Sequence, residues 1–532
     1  MHQTNLSPAV AVNRWARTSG DTTAVWYEDV PVSYDRFAAD VRALADVLAH
    51  GGLRTGDRVA WLGRNSELLL RTALAAAHLG AVFLPLNFRL TSAELAALLR
   101  DSGTHTLLAE PEYTDAVDTG ADDLPVRRHF LVDTDPRGPS PAKAPAPWQP
   151  LSTAVVPDQG RPPATVRADD PALLMYTSGT TGHPKGVVLT HGNLWWHDVA
   201  TTAVIDSSLR DTTLVLAPMF HVAGLSGFTL GTLVHGGTVV VRRAFDAKQA
   251  LADMAAHRAV NVIAVPAMFT AIARAPGFAE AELSSLRTAL VGGAPVPPQL
   301  VRDYAARGLT LQQAWGLTET APLAACLPSE LVGTHPGSAG YPLPYTDIKL
   351  VDPATGAEVT EPGVPAEVLV RGPNVFREYW NDPEATRLAK DEAGWFRSGD
   401  IGQRDERGLL YMVDRSKDVI ISGGENIYPA EIERVLAEYP GVREVAVVGA
   451  PHPEWEETPV AVLCQDGPGR AALQQLRDFA GERLARYKLP TAVHHLPRLP
   501  RGGSGKVDKA ALREWLSTGG ESADTEAEGG GE

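Results

Sequence analysis

The run Tyr176-Thr-Ser-Gly-Thr-Thr-Gly-His-Pro-Lys-Gly-Val187 concentrates groups that bind phosphate. Gly179, Gly182 and Gly186 permit tight turns and close backbone approach. Thr177, Ser178, Thr180 and Thr181 supply hydroxyl donors, and Lys185 supplies positive charge. Backbone N–H groups and hydroxyls on such a loop converge on the oxygens of a polyphosphate. One or two of these residues would make an ordinary turn. Their density beside a strand expected over residues 173–176, together with a lysine, points to phosphate. The run is not a P-loop, which ends in Gly-Lys followed by Ser or Thr at the head of a helix. Here Lys185 follows Pro184 and precedes Gly186.

Other segments gain meaning in combination. His221 lies in Ala217-Pro-Met-Phe-His-Val-Ala-Gly224, where a lone histidine beside Met and Phe would read as a core or turn residue. Val291-Gly-Gly-Ala-Pro295 is by itself a common Gly-Gly turn. Gln313-Ala-Trp-Gly-Leu-Thr-Glu-Thr320 and Trp395-Phe-Arg-Ser-Gly-Asp400 follow, then Asp414-Arg-Ser-Lys-Asp-Val-Ile-Ile-Ser-Gly-Gly-Glu-Asn-Ile-Tyr-Pro429 and Leu499-Pro-Arg-Gly-Gly-Ser-Gly-Lys506. With the Thr/Ser/Gly loop, and in this order, they resemble the adenylate-forming superfamily over nearly the whole chain, to about Trp515. That superfamily includes acyl-CoA synthetases, adenylation domains of peptide synthetases and beetle luciferases.

The resemblance implies activation of a carboxylic acid by ATP to an acyl-AMP, with Mg²⁺, and then thioester formation with coenzyme A. It implies that residues 177–181 and Lys185 hold the phosphates. It places Gly292, Gly293, Ala294 and Pro295, with Gln313, Ala314, Trp315 and Gly316, around adenine. Trp315 would stack on the base, where many relatives have Tyr; either ring offers a flat face. Thr318 would bond the α-phosphate and Glu319 would ligate Mg²⁺, whose hard character suits a carboxylate. His221 would sit between the acid and the adenylate. Amino-acid-activating relatives typically carry Phe-Asp here, and Phe220-His221 offers no carboxylate for a substrate ammonium. Asp400 would accept from the ribose hydroxyls, though a carboxylate after Ser-Gly also caps turns. Arg415 would contact ribose or phosphate, and Asp414 would be the hinge on which a C-terminal domain rotates. Gly423 and Gly424 would approach the pantetheine tunnel, and Lys506 would be the catalytic lysine of adenylation. Read without the resemblance, Lys417 and Asp418 are a solvated surface pair and Lys509 is a surface residue.

Relatives that pass the acyl group to a carrier protein or an amine, or that activate nitrite to diazotise an aryl amine, share these motifs and stay open as alternatives. One departure bears on the acceptor. Pro451-His-Pro-Glu-Trp-Glu-Glu457 carries Glu456 where acyl-CoA synthetases commonly have Gly, which adds negative charge near the expected path of CoA. Residues 221–231 and 265–269 are expected to line the acid pocket, with Phe228, Met268 and Phe269 as apolar wall.

These residues need a scaffold, and the patterning supplies one. Apolar residues recur at helical spacing over 34–50, and 67–79 and 91–99 also read as helices. Residues 57–62 and 81–86 read as strands, so the alternation predicts an α/β fold. A second α/β stretch runs over 173–327. Short strand-like runs separated by Gly and Pro over 337–412 predict a β-rich subdomain, and a compact α+β unit follows. The expected division is 1–413 as the ATP and acid domain, 414–516 as a mobile lid, and 517–532 as a disordered Gly/Glu/Ser-rich tail. Residues 133–163, rich in proline, read as a surface linker.

The chain of 532 residues exceeds one ordinary core. Its net charge of -16 argues against nucleic acid and anionic membrane as partners; the partner that the resemblance implies is a small-molecule acid. Only two cysteines, Cys326 and Cys464, are present, too few for a disulfide framework. The start lacks a signal-peptide pattern and no run is long enough to be inserted in a membrane, so cytoplasmic residence is expected. Oligomeric state is not legible, and a homodimer stays open.

Overall fold

The computed structural model describes residues 4–518 apart from 119–123, 134–145, 155, 158, 178–183, 416–417, 423–424, 453–454, 466–468, 485 and 503–505. The chain packs as two compact units, Met1–Ile348 with Val370–Arg397, and Lys349–Leu369 with Ser398–Glu532.

The first unit holds two sheets. Strands β1 (Arg58–Leu62), β2 (Val82–Leu86) and β3 (Thr106–Ala109) are parallel. With the antiparallel pair β4 (Pro171–Thr177) and β5 (Lys185–Thr190) they belong to an eight-stranded sheet. The helices between them form where the periodicity places them. Helix α1 is Tyr34–His50, started by the Ser33 side chain accepting from the Arg36 amide. Helix α2 is Glu67–Leu79, capped by Ser66 and ended by Gly80 at φ +67°. Helix α3 is Ser92–Ser102, opened by a reciprocal Thr91–Glu94 capping box. The proline-rich stretch is only partly a linker: Gln149–Pro150 pairs in parallel with Phe130–Leu131, and Trp148 is buried. The remainder of the linker expectation, 134–145, lies outside the described residues, as do 519–532 of the expected tail.

The second sheet of this unit contains β6 (Thr212–Val215), β7 (Thr238–Val241), β8 (Asn261–Ala264), β9 (Thr288–Gly292) and β10 (Leu311–Trp315). They are parallel, in the order β7–β6–β8–β9–β10. The chain leaves β6 for β7 on one side and then returns to β8 on the other. The carboxyl ends of β6 and β8 therefore flank a topological switch point, where open α/β sheets leave a crevice for ligands. A core of Val262, Phe269, Ala289, Val291, Leu300 and Tyr304 backs the sheet.

Among the described residues Arg243 ties the two sheets together, through Glu110 and, at 3.5 Å, through Glu112. Glu110, just after β3, is almost fully buried and meets Arg243, just after β7, through Nη1–Oε1 at 2.8 Å and Nη2–Oε2 at 2.9 Å. The Arg64 amide donates to the same carboxylate at 3.1 Å.

The strands expected over 337–412 are present and divide between the units. Residues 370–397 return to the first unit and supply β11 (Glu378–Tyr379), which pairs antiparallel with β5. In the second unit, residues 400–404 pair with β12 (Leu410–Arg415), followed by a hairpin of β13 (Ile420–Ser422) and β14 (Glu425–Ile427). A long antiparallel pair follows, β15 (Val442–His452) with β16 (Glu456–Gln465). Both faces of that pair are covered, which is why its middle reads as a continuous apolar run. Val447, Ala461 and Leu463 pack with Ile432 and Leu436 of α4 (Pro429–Leu436) and Leu476 of α5 (Leu473–Gly481). Ala446, Val448 and Val462 face the other way, onto Leu512 of α6 (Lys509–Ser517).

Glu110→Ala strands Arg243 without its bidentate partner. The expected cost is about 3 kcal/mol, the low end for a broken buried pair, because Arg243 keeps 16% exposure. Urea unfolding of the purified chain followed by tryptophan fluorescence measures it.

Candidate active site

The run expected to hold phosphate begins and ends in a pair of antiparallel strands. Tyr176 faces Gly186 and Thr177 faces Lys185 across β4 and β5, so the loop joins two antiparallel strands and not a strand to a helix. Ser178, Gly179, Thr180 and Thr181 lie outside the described residues. Tyr176 is anchored through its hydroxyl to Asp101, and burial pushes that phenol well above its ordinary range.

Strand β11 fastens this hairpin to the Thr318–Thr320 turn. The amides of Arg377 and Trp380 donate to the carbonyls of Val188 and Gly186 at 3.0 and 2.7 Å. The Phe376 amide donates to the Glu319 carbonyl at 2.7 Å. Tyr379 stands between the two elements. Its hydroxyl donates to Glu319 Oε1 at 3.0 Å, and the Lys185 ammonium lies 5.0 Å from its ring centroid. Burial, and then the Glu319 charge, raise the Tyr379 phenol far above its usual value, so it stays a donor throughout the neutral range. Sequence reasoning missed Tyr379, because its partners lie 60 residues away in the chain and more.

The turn itself is over-determined. Thr320 Oγ1 accepts from the Leu317 amide at 2.8 Å, and Asn374 Nδ2 donates to the Thr320 and Leu323 carbonyls. Ser226 Oγ, from the segment after His221, donates to the Ala321 carbonyl at 3.2 Å. At Gly316 an added Cβ would lie 2.0 Å from the Pro322 carbonyl oxygen, so only glycine lets the chain double back there. Trp315, at the end of β10, is 8% exposed, and its carbonyl accepts from the Ala324 amide at 2.9 Å. Gln313 is buried and its Oε1 accepts from the Gly337 amide.

The remaining groups of this unit sit at the same carboxyl edge. Gly292 pairs with Ala314 in register, and Gly293 turns the chain at φ +80° before Ala294 and Pro295. His221 follows β6 at the switch point, its ring 4.4 Å from that of Phe220. The turn that carries it is clamped by Asn65, also unread in the sequence. Asn65 Nδ2 donates to the Ala217 carbonyl at 3.1 Å and Oδ1 accepts from the Met219 amide at 2.7 Å. Phe228 lies in an apolar cluster with Ala200, Ile263, Ala314 and Leu323. Phe269 corrects the expected pocket wall: it is fully buried against Tyr304 behind the sheet, because helix Pro266–Ala273 turns that face inward. Met268 packs against the same core.

The other candidates belong to the second unit. Asp400 is buried opposite Arg415, and its amide donates to Ser398 Oγ at 3.0 Å. Asp414 Oδ2 accepts from the Ala430 amide at 2.8 Å, tying the end of β12 to the first turn of α4. Gly423 and Gly424 lie outside the described residues, between β13 and β14. Glu456 pairs with Ser422, directly before that turn. Lys506 is exposed, and its carbonyl accepts from the Gly502 amide at 2.9 Å beside an Arg501–Val507 bridge. Two background readings change. Asp418 is buried and paired with Arg513 at 2.8 Å, and Lys509 is half-buried and paired with Glu433 at 2.8 Å. Lys417 lies outside the described residues. Cys326 and Cys464 are free thiols, both buried. Among the described residues no helix is long and apolar enough to cross a membrane.

Known proteins with this geometry are numerous. Residues 12–380 match the AMP-binding enzyme family and residues 431–506 its C-terminal domain. A feruloyl-CoA synthase of Amycolatopsis is 43% identical over 501 residues, 94% of this chain and 97% of the relative. An indoleacetate–CoA ligase of Aromatoleum aromaticum is 39% identical over 507 residues, 95% and 97% of the two chains. Among solved structures, o-succinylbenzoate CoA synthetase from Bacillus subtilis, in complex with its acyl-adenylate intermediate, superposes with a TM-score of 0.83 at 32% identity. That match covers 94% of this chain and 97% of the other. ATP-bound MatB from Rhodopseudomonas palustris gives 0.86 at 29% identity, over 97% and 100%.

Asn65→Ala removes both bonds that hold the 217–219 turn and leaves a buried carbonyl and amide without that partner. The expected loss is about 1–3 kcal/mol of stability, read from thermal melting. Affinity for the organic substrate should fall more than affinity for nucleotide, since the turn carries His221 and not the adenine-side strands.

Proposed function

This chain belongs to the AMP-binding enzyme family, in its acyl-CoA synthetase branch, and we propose that it activates an aryl-substituted carboxylic acid. The acid is converted to acyl-AMP by ATP with Mg²⁺, and the acyl group then passes to coenzyme A. The observation that carries the assignment is the convergence, within one unit, of the His221 turn, the Gly292–Gly293 turn, and a Lys185–Tyr379–Glu319 array beside Trp315. Cation, carboxylate and flat ring are the three chemistries that a magnesium nucleotide needs.

The substrate carboxylate attacks the α-phosphorus and pyrophosphate leaves. The protein forms no covalent bond in this step; it aligns the reactants and neutralises charge on phosphate oxygens. Lys185 with residues 177–181 holds the β- and γ-phosphates, and Thr318 the α-phosphate. Trp315 stacks on adenine against the Gly292–Pro295 turn, with Gln313, Ala314 and Gly316 around the ring. Bound Mg²⁺ supplies positive charge at the phosphates. The Glu319 carboxylate, a hard oxygen donor already hydrogen-bonded from behind, fits it. Asp400 and Arg415 take the ribose side, and His221 separates acid from adenylate. The apolar cluster of Ala200, Phe228, Ile263 and Leu323, with Ala223 packed against it, suits an apolar substituent on the acid. The feruloyl and indoleacetate relatives point the same way.

Lys506 stabilises the adenylation transition state and must withdraw before a thiol can attack. Residues 414–516 act as the lid that makes this exchange, pivoting at Asp414 and presenting Gly423–Gly424 to pantetheine. Buried, reduced cysteines fit a cytoplasmic setting.

Mass spectrometry of reactions with ATP, Mg²⁺ and a panel of cinnamic, arylacetic and fatty acids, with and without CoA, tests the assignment. Aryl-CoA formed only when CoA is present supports it. Acyl-AMP that accumulates with CoA present, or turnover only with nitrite and an aryl amine, moves the function to another acceptor. Lys506→Ala should lower acyl-AMP formation by about 10²–10³. Thioester formation from supplied acyl-AMP should be retained, and equal loss of both steps would sink the lid assignment.

A further inference from the structure

Glu319 and Lys185 carry opposite charges that a magnesium nucleotide needs kept apart and correctly aimed. Left adjacent in an empty site, a carboxylate and an ammonium collapse onto each other, and the incoming ligand must separate them. Tyr379 stands between them, its hydroxyl on Glu319 Oε1 at 3.0 Å and its ring 5.0 Å from the Lys185 ammonium. A ring offers its negative face to a cation and its hydroxyl hydrogen to an anion, so a single tyrosine serves both charges at once.

Four features make Tyr379 a rigid mount. It is 7% exposed. Its amide donates to Thr386 Oγ1 at 2.9 Å. Its strand is pinned on one side to the phosphate hairpin, through Gly186 and Val188, and on the other to Glu319 through the Phe376 amide. Its ring also packs 4.8 Å from that of Phe376.

We propose that Tyr379 is a positioning residue for the metal–phosphate centre: its hydroxyl orients the Glu319 carboxylate for the divalent cation, and its ring holds Lys185 ready for the phosphates. This rests on the adenylation reading, since it requires that magnesium ATP bind here. Partners that hydrogen-bond a metal-ligating carboxylate typically change metal affinity or activity by about 10–100-fold when removed.

The test is calorimetric titration of the full chain with ATP, once with EDTA and once with Mg²⁺, in the absence of any acid substrate. Tyr379→Phe keeps the ring and loses the hydroxyl. It should leave metal-free ATP affinity within about twofold and cut the gain from Mg²⁺ by about 10–100-fold. Tyr379→Leu loses both and should lower metal-free ATP affinity as well. In a Glu319→Gln background, Tyr379→Phe should have no further effect on the Mg²⁺ response. A Phe variant with the parental Mg²⁺ response overturns the proposal, as does one that loses metal-free and metal-dependent affinity equally. An undiminished effect in the Glu319→Gln background also overturns it, because Tyr379 would then not act through Glu319. If the parent chain itself gains nothing from Mg²⁺, the adenylation reading fails, and this one with it.

Discussion

Three main-chain hydrogen bonds from residues 376–380 hold the centre of this protein together. They run from Phe376 to Glu319, from Arg377 to Val188 and from Trp380 to Gly186. They join the β4–β5 hairpin in one sheet to a turn at the carboxyl end of another. Nucleotidyl transfer needs its charged groups fixed to within a fraction of an ångström, because alignment is most of what the protein contributes. A Gly-rich loop cannot hold that position alone. Here a two-residue strand, reached about 190 residues after the hairpin, pairs with the hairpin's second strand at the sheet edge and brings the turn to it.

The same edge shows why the site lies where it does. Parallel strands present all their carboxyl ends on one side, and the reversal between β7 and β8 opens a crevice there. His221 enters it from β6, the Gly-Gly turn from β9 and Trp315 from β10. Glu110 and Arg243 bind the two sheets near this edge. The net charge of -16 is no obstacle to binding a polyanion. A few fixed donors at short range outweigh a diffuse field that salt screens within about 8 Å.

The second unit is organised around a sheet buried on both faces, which lets a small body stay rigid. Asp414, where a pivot is proposed, accepts from the Ala430 amide and so is coupled to a helix start. Asp418, four residues on, is locked to Arg513. A pivot between two such anchored points turns a body as a whole and does not unravel it.

Sequence by itself determined the family, the chemistry and the order of the motifs. Those depend on residue types at fixed local spacing: the Thr/Ser/Gly run, the Trp-Gly-Leu-Thr-Glu segment, the Lys506 loop. It also determined helices such as 34–50 and 67–79, where apolar period and caps agree. Only the tertiary structure decided what holds those motifs in place. Tyr379 and Asn65 sit in segments without periodicity, and their partners are 60 and 152–154 residues away. Phe269 reads as pocket wall because it lies in an apolar run just after β8, and packing sends it to Tyr304 behind the sheet. Asp418, a charged residue beside a Gly-rich loop, reads as solvated until the chain returns Arg513 to it from 95 positions on. Local pattern reports which face a residue presents; which side chain arrives to meet it is settled by long-range packing, and no short stretch of sequence contains that information.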